Sequence, residues 1–326
     1  MSLAQVERVT WQSGWQRTSV RSLAVLIPLL ALAVVAIRKW ALIGSSADQL
    51  GAADRQWLAV AAAAAVMTWI CSATAQQGAV VESLPPGRLL ATQFAASAAN
   101  HLLPAGVGGN AVNLRFLLRH GLPPGRSAAA LAVRAVAAAV VRVGMLLILL
   151  VVFPNALKVD RVAPTGPAHP VLIASVVAGC AATGALLLLL ARRIRRRVRA
   201  FFGTVAVDVR ALHCKSARIA ALWGGSLAFP VMHAAVLVAV VQSLNAPVPV
   251  SGVILAYLFA STAAAWLPAP GGLGSLDAAL AFTLVTAGAS AVMATSAVLG
   301  YRLVTVWLPL IPGVLVLAAL VRRRVL

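Results

Sequence analysis

The sequence predicts an all-α, polytopic integral membrane protein, and three observations predict it. Hydrophobic residues make up 61% of the 326-residue chain and charged residues only 10%, too few to cover a water-soluble domain of this length. Apolar runs repeatedly reach the roughly 20 residues that cross a ~30 Å hydrocarbon core. Two further apolar segments are interrupted by Pro/Gly clusters, Pro104-Ala105-Gly106-Val107-Gly108-Gly109 and Pro268-Ala269-Pro270-Gly271-Gly272-Leu273-Gly274. The architecture this implies is about six full spans plus two re-entrant helical hairpins in an inverted repeat. It forms a single membrane domain over residues 1–326. A tail and first span occupy 1–55, one repeat 56–153, a linking span and basic loop 154–218, and a second repeat 219–326.

In chain order, the first 21 residues carry Arg8, Arg17 and Arg21, with Trp11 and Trp15 one helical turn apart. That is the pattern of an interfacial lead-in or of a polar tail. A first span runs from about Ser22 to Ile43; Arg38, Lys39 and Trp40 make a poor cleavage region, so it is expected to be retained. A second span covers about Gln56 to Ala75. Beyond Pro85-Pro86-Gly87, apolar Leu89 to Leu103 ends at the first break and the chain continues through Asn110 to His120. An arm of about 15 residues covers only ~22 Å as helix, so this hairpin is expected to dip in and return to the same side. Ser127 to Phe153 spans, with Arg134 and Arg142 inside it. Val171 to Ala191 spans next and meets the basic run Arg192 to Arg199. Ile219 to Leu244 leads to the uncharged loop Asn245 to Val250. The second hairpin rises from Ser251 to Trp266, breaks, and continues through Asp277 to Gly288. Ala291 to Val321 closes the chain before Arg322-Arg323-Arg324; it holds Arg302, Pro309 and Pro312 and is expected to tilt and kink at its prolines.

An offset of 164 residues lays Ala96–Gly108 on Ala260–Gly272 with seven of 13 positions identical, among them Leu103-Pro104-Ala105 and Gly108. Arg134 and Arg302 correspond at an offset of 168, which points to an internal duplication. Charge sets the orientation. Arg88, Arg115, Arg119 and Arg126 place the first hairpin's entrance in the cytoplasm, with the Arg192–Arg199 run and both termini on the same side. The second hairpin, free of basic residues, then enters from the opposite face. Arg38, Lys39 and Arg55 in the first outer loop run against this orientation, and the larger bias of the later loops outweighs them.

The net charge of +20 does not indicate nucleic acid, because the basic residues lie mainly between apolar runs and at the termini, where anionic lipid headgroups attract them. Cys71, Cys180 and Cys214 show no metal or redox spacing, and the five histidines are scattered. Neither break ends in Gly-Lys-Ser/Thr, so nucleotide binding is unsupported, and seven acidic residues assemble no catalytic constellation. Neither a cofactor nor a metal is expected. The chemistry-bearing residues are Arg134, Arg142 and Arg302. Each costs at least about 2.5–3.5 kcal/mol at a bilayer centre unless it faces water, an anion or a counter-ion. Arginine's fork of donors suits a phosphate. Snorkelling, or a pair between Arg302 and Asp277, is the alternative. Asp277 stands three residues after Gly274, placed to cap a helix or to pair with a buried arginine. Asn100 and His101 are placed to meet a headgroup or to satisfy backbone groups freed at the break.

Asn100-His101-Leu102-Leu103-Pro104 with Gly108-Gly109, and Leu267 to Gly274 followed by Asp277 and Tyr301-Arg302, resemble the transmembrane flippase-like domain of lysylphosphatidylglycerol synthases. The resemblance covers roughly Gln56 to the C-terminus. It implies a lipid flippase or transporter-like protein that moves an anionic phospholipid or lipid-linked glycan across the plasma membrane, with Arg134, Arg142, Arg302, Asp277 and Asn100 at the site. Relatives usually carry Glu where Asp277 stands, and commonly an acidic residue near the arginine equivalent to Arg134; Ala135 to Val141 contain none. The synthases' soluble aminoacyl-transfer domain has no counterpart before Leu326, so that activity is expected to be absent. Membrane lipids are the expected partners, with a second copy of the chain or an envelope-synthesis enzyme as further candidates. The competing expectation is a non-transporting partner of an envelope glycosyltransferase or lipid synthase.

Overall fold

A computed structural model describes residues 48–102, 107–153, 216–264, 274–323 and 325–326. The spans expected over Ser22–Ile43 and Val171–Ala191, the basic run Arg192–Arg199, and Pro104, Pro268, Pro270, Gly271 and Gly272 lie outside these residues. All regular structure among the described residues is helical. Helix α1 is Arg55–Gly78, α2 Pro86–Leu102, α3 Gly108–Arg119 and α4 Pro124–Val152. Helix α5 is Ser216–Ser243, α6 Val250–Ala264 and α7 Ser275–Thr286. The last stretch is α8 (Ala291–Arg302), a π-helical turn (Leu303–Trp307) and α9 (Leu308–Arg322). The order long, short, short, long therefore occurs twice.

Local chemistry fixes the ends. Asp54 caps α1 by accepting the Gln56 N–H at 2.7 Å, and Ser290 caps α8 by accepting from Met293 at 3.2 Å. Pro124 opens α4, where its missing N–H removes no helical bond. Helices α3 and α7 close alike, with Leu122 N–H on Leu117 O and Ala289 N–H on Leu284 O. The expected irregularity in the last segment falls upstream of its prolines. Leu308 N–H bonds to Leu303 O, the i−5 carbonyl, so the ladder widens immediately after Arg302. Pro309 and Pro312 supply no N–H just beyond, which removes the bonds that would hold ordinary α-register there.

Among the described residues, four stretches are long and apolar enough to cross a membrane: α1, α4, α5 and the continuous Ala291–Arg322. Their outward faces are bare hydrocarbon. Val136, Val140, Ile148 and Val151 on α4, and Leu308, Ile311 and Leu315 on α9, are exposed, Val151 at 81% and Ile311 at 72%. Such stripes are stable in lipid and not in water, and the protein is an integral membrane protein.

Lipid gives helices no hydrophobic drive to associate, so close packing of small residues must do it. Helices α1 and α5 run antiparallel along their lengths. A Cβ on Gly225 would sit 2.5 Å from the Ala75 nitrogen, and one on Gly78 would sit 2.2 Å from the Leu222 nitrogen. The arms of the first hairpin meet as tightly: a Cβ on Gly108 would lie 2.0 Å from Ala99 O, and one on Gly109 3.2 Å from Ala96 O. Each hairpin has its own apolar cluster, one around Phe116, Leu117 and Leu89, the other around Leu255, Leu258, Leu280 and Leu284.

Candidate functional site

A cavity of about 590 Å³ opens among the helices, and both hairpins contribute to its wall. Arg134, Arg142, Arg302, Asn100 and Gly109 all line it, although they come from α4, α8, α2 and α3. Gly108 packs between the hairpin arms as just described, and Asp277 reaches the cavity through Arg302. Gly274 stands at the start of α7 with φ of +96°, a backbone conformation that disfavours any side chain.

Among the described residues, Arg134 is held entirely by neutral groups. Its guanidinium donates to Gln76 Oε1 at 2.9 Å, to Gln93 Oε1 at 3.4 Å and to the Ser72 hydroxyl. Ser72 in turn donates to Gln93 Oε1 at 2.9 Å, and Gln93 donates its amide to Asn113 Oδ1 at 2.7 Å. Asn113 donates onward to the backbone oxygen of Gly109 at 2.8 Å. This network orients the arginine and satisfies most of its donors, yet it brings no negative charge. Arg142, two helical turns further along α4, also faces the cavity. Its Nε is buried without a hydrogen-bond partner among the described residues.

Arg302 is arranged differently. It is 5% exposed and donates from Nε to Asp277 Oδ1, an ion pair. The other carboxylate oxygen, Oδ2, accepts the Gly274 N–H at 3.0 Å and so caps α7. Asp277 thus caps a helix and neutralises an arginine at once. In the sequence, an offset of 164 relates Asn113 to Asp277, Gln93 to Tyr257 and Ser97 to Ser261. In the first half an amide stands where the second half has its carboxylate. Asp48, Asp54 and Glu82, the other acidic residues among those described, do not line the cavity; Glu82 pairs with Arg126 at 2.8 Å.

Two groups of residues at the site, Tyr301 apart, were not singled out in the sequence. Thr68, Ser72 and Gln76 are buried polar residues spaced four apart on one face of α1, and that spacing inside an apolar span was their legible signal. The second group is aromatic. His233 Nδ1 lies 2.8 Å from the Tyr301 hydroxyl, and its ring stacks near-parallel to Tyr257 and edge-on to Phe229. These four come from α5, α6 and α8, and nothing in their sequence spacing connects them. The π turn that follows Tyr301-Arg302 adds Thr305 and Val306 to the wall. Such turns recur at functional sites, where they re-aim side chains.

A family model, the transmembrane region of lysylphosphatidylglycerol synthase, matches residues 19–313. No curated protein matches the chain. With nearly its whole length covered, the chain belongs to the lysylphosphatidylglycerol synthase transmembrane region family.

Proposed function

We propose that this protein moves an anionic lipid, a phospholipid or a lipid-linked glycan, between the leaflets of the plasma membrane, and that it makes and breaks no covalent bonds. The observation that carries the reading is the positive charge of Arg134 and Arg142 in the cavity, which no carboxylate among the described residues pairs. Among the described residues Arg134 has only neutral partners, the buried Nε of Arg142 has none, and one carboxylate, Asp277, already serves Arg302. Buried cations in a membrane protein call for an anion, and a lipid phosphate is the anion a bilayer supplies in quantity. Family membership supplies the link to lipid.

An inverted repeat fits the same reading. The helix order recurs in the two halves, and α1 runs antiparallel to α5, its counterpart. The short paired helices α2/α3 and α6/α7 fit re-entrant hairpins entering from opposite faces, with the charge bias setting both termini in the cytoplasm. Rocking one half against the other would then expose the cavity to each leaflet in turn. The test is reconstitution in vesicles with fluorescent phosphatidylglycerol and fluorescent phosphatidylcholine. Protein-dependent movement of the anionic lipid is expected, at several times the rate of the zwitterionic one. Protein-free rates for both would defeat transport and favour a non-transporting partner of an envelope enzyme.

A further inference from the structure

We infer that the cavity takes a lipid phosphate whose headgroup is uncharged and hydroxyl-bearing, a polyol or a sugar, and rejects a headgroup that carries an ammonium. The inference rests on the proposed function and narrows its substrate. Its first ground is charge. Three guanidiniums line the space, and Asp277, the single nearby carboxylate among the described residues, is engaged on both oxygens, by Arg302 and by the Gly274 N–H. A phosphate settles against Arg134 and Arg142 and gains; an ammonium attached to that phosphate meets like charge, with no free acceptor carboxylate among the described residues that line the cavity. The connecting residues 103–106 and 265–273 contain no acidic side chain, and Asp160 and Asp208, in the connection between α4 and α5, lie outside the described residues.

The second ground is the rest of the wall. Asn100, Asn110, Ser97 and Ser261 present amides and hydroxyls, groups that both donate to and accept from hydroxyls. Trp69, Phe229 and Tyr257 add aromatic surface against which the C–H face of a sugar or glycerol can lie. The volume of about 590 Å³ falls in the ~300–1,000 Å³ range of sites that enclose a whole small molecule. Arg142 Nε, buried and without a partner among the described residues, is the donor left for the phosphate.

Binding to the purified protein, followed through tryptophan fluorescence with Trp69 in the wall, tests this. The probes are dihexanoyl phosphatidylglycerol, farnesyl phosphoglucose, dihexanoyl lysyl-phosphatidylglycerol and dihexanoylglycerol. Phosphatidylglycerol or the phosphoglucose, whichever binds tighter, is expected to bind at least tenfold tighter than the lysyl lipid and the neutral diacylglycerol. The tighter of the two identifies the source of the headgroup. Arg142→Gln should weaken phosphatidylglycerol and shrink the discrimination against the lysyl lipid, because it removes one repelling charge. A preference below tenfold over the lysyl lipid, or discrimination unchanged in Arg142→Gln, overturns the headgroup inference while leaving anionic-lipid binding intact. Failure of every phosphate-bearing probe to bind overturns both that inference and the proposed function.

Discussion

At Asp277 one carboxylate holds two groups, the Arg302 guanidinium and the Gly274 N–H at the start of α7. The two ends of this pair should therefore respond unequally to mutation. Asp277→Asn removes the carboxylate paired with Arg302, which is 5% exposed, and removing one partner of a buried pair costs about 3–5 kcal/mol. Arg302→Gln leaves the carboxylate its backbone N–H and the favourable end of the helix dipole, so roughly 1–3 kcal/mol is expected. Thermal unfolding in detergent should show Asp277→Asn lower in Tm than Arg302→Gln, and the double variant losing less than the two single losses added together. Equal losses that simply add would remove the pair from the account. The sequence left Arg302 open between a phosphate contact and a partner for Asp277; the structure shows the pair, with Arg302 also in the cavity wall. For Arg134 the neutral partners were not legible: Gln76 and Ser72 lie 58 and 62 residues away, and single polar residues in an Ala-rich helix read as packing.

Among elements, the sequence placed every described helix to within a few residues, because hydropathy and Pro/Gly punctuation act locally. It assigned Gly108 and Gly109 to a helix break, and they do stand at the start of α3; their reason for being glycine is contact with α2, a tertiary matter. Adjacent glycines on α5 separate the two causes cleanly. Gly225 has no room for a Cβ against α1, whereas Gly224 has nothing within 4 Å. Gly225→Ala should destabilise by about 1–3 kcal/mol through forced separation of α1 and α5. Gly224→Ala should be neutral or slightly stabilising, since alanine is the better helix former. The folded yield and Tm of the two variants check this, and similar values for both would mean that α1 and α5 do not touch there. Gly108→Ala belongs with Gly225→Ala, because its Cβ would overlap the Ala99 carbonyl.

For the whole molecule, the proposed function links topology to transport: a cavity shared by two oppositely oriented halves would let one site serve both leaflets. In a variant lacking the native cysteines, a cysteine at Ala246, between α5 and α6, should react with an impermeant thiol reagent from outside, and one at Arg195 should not. The reverse pattern would contradict the inverted arrangement. The central claim is that Arg134, fixed by Ser72, Gln76 and Gln93, holds a lipid phosphate during movement. Its most direct measurement is the rate of fluorescent phosphatidylglycerol movement in vesicles holding equal amounts of folded wild type, Arg134→Lys and Arg134→Gln. Lysine keeps the charge and loses the forked geometry, so it should retain part of the rate, and glutamine should reduce it at least tenfold. A folded Arg134→Gln protein that moves the lipid at the wild-type rate would contradict the account.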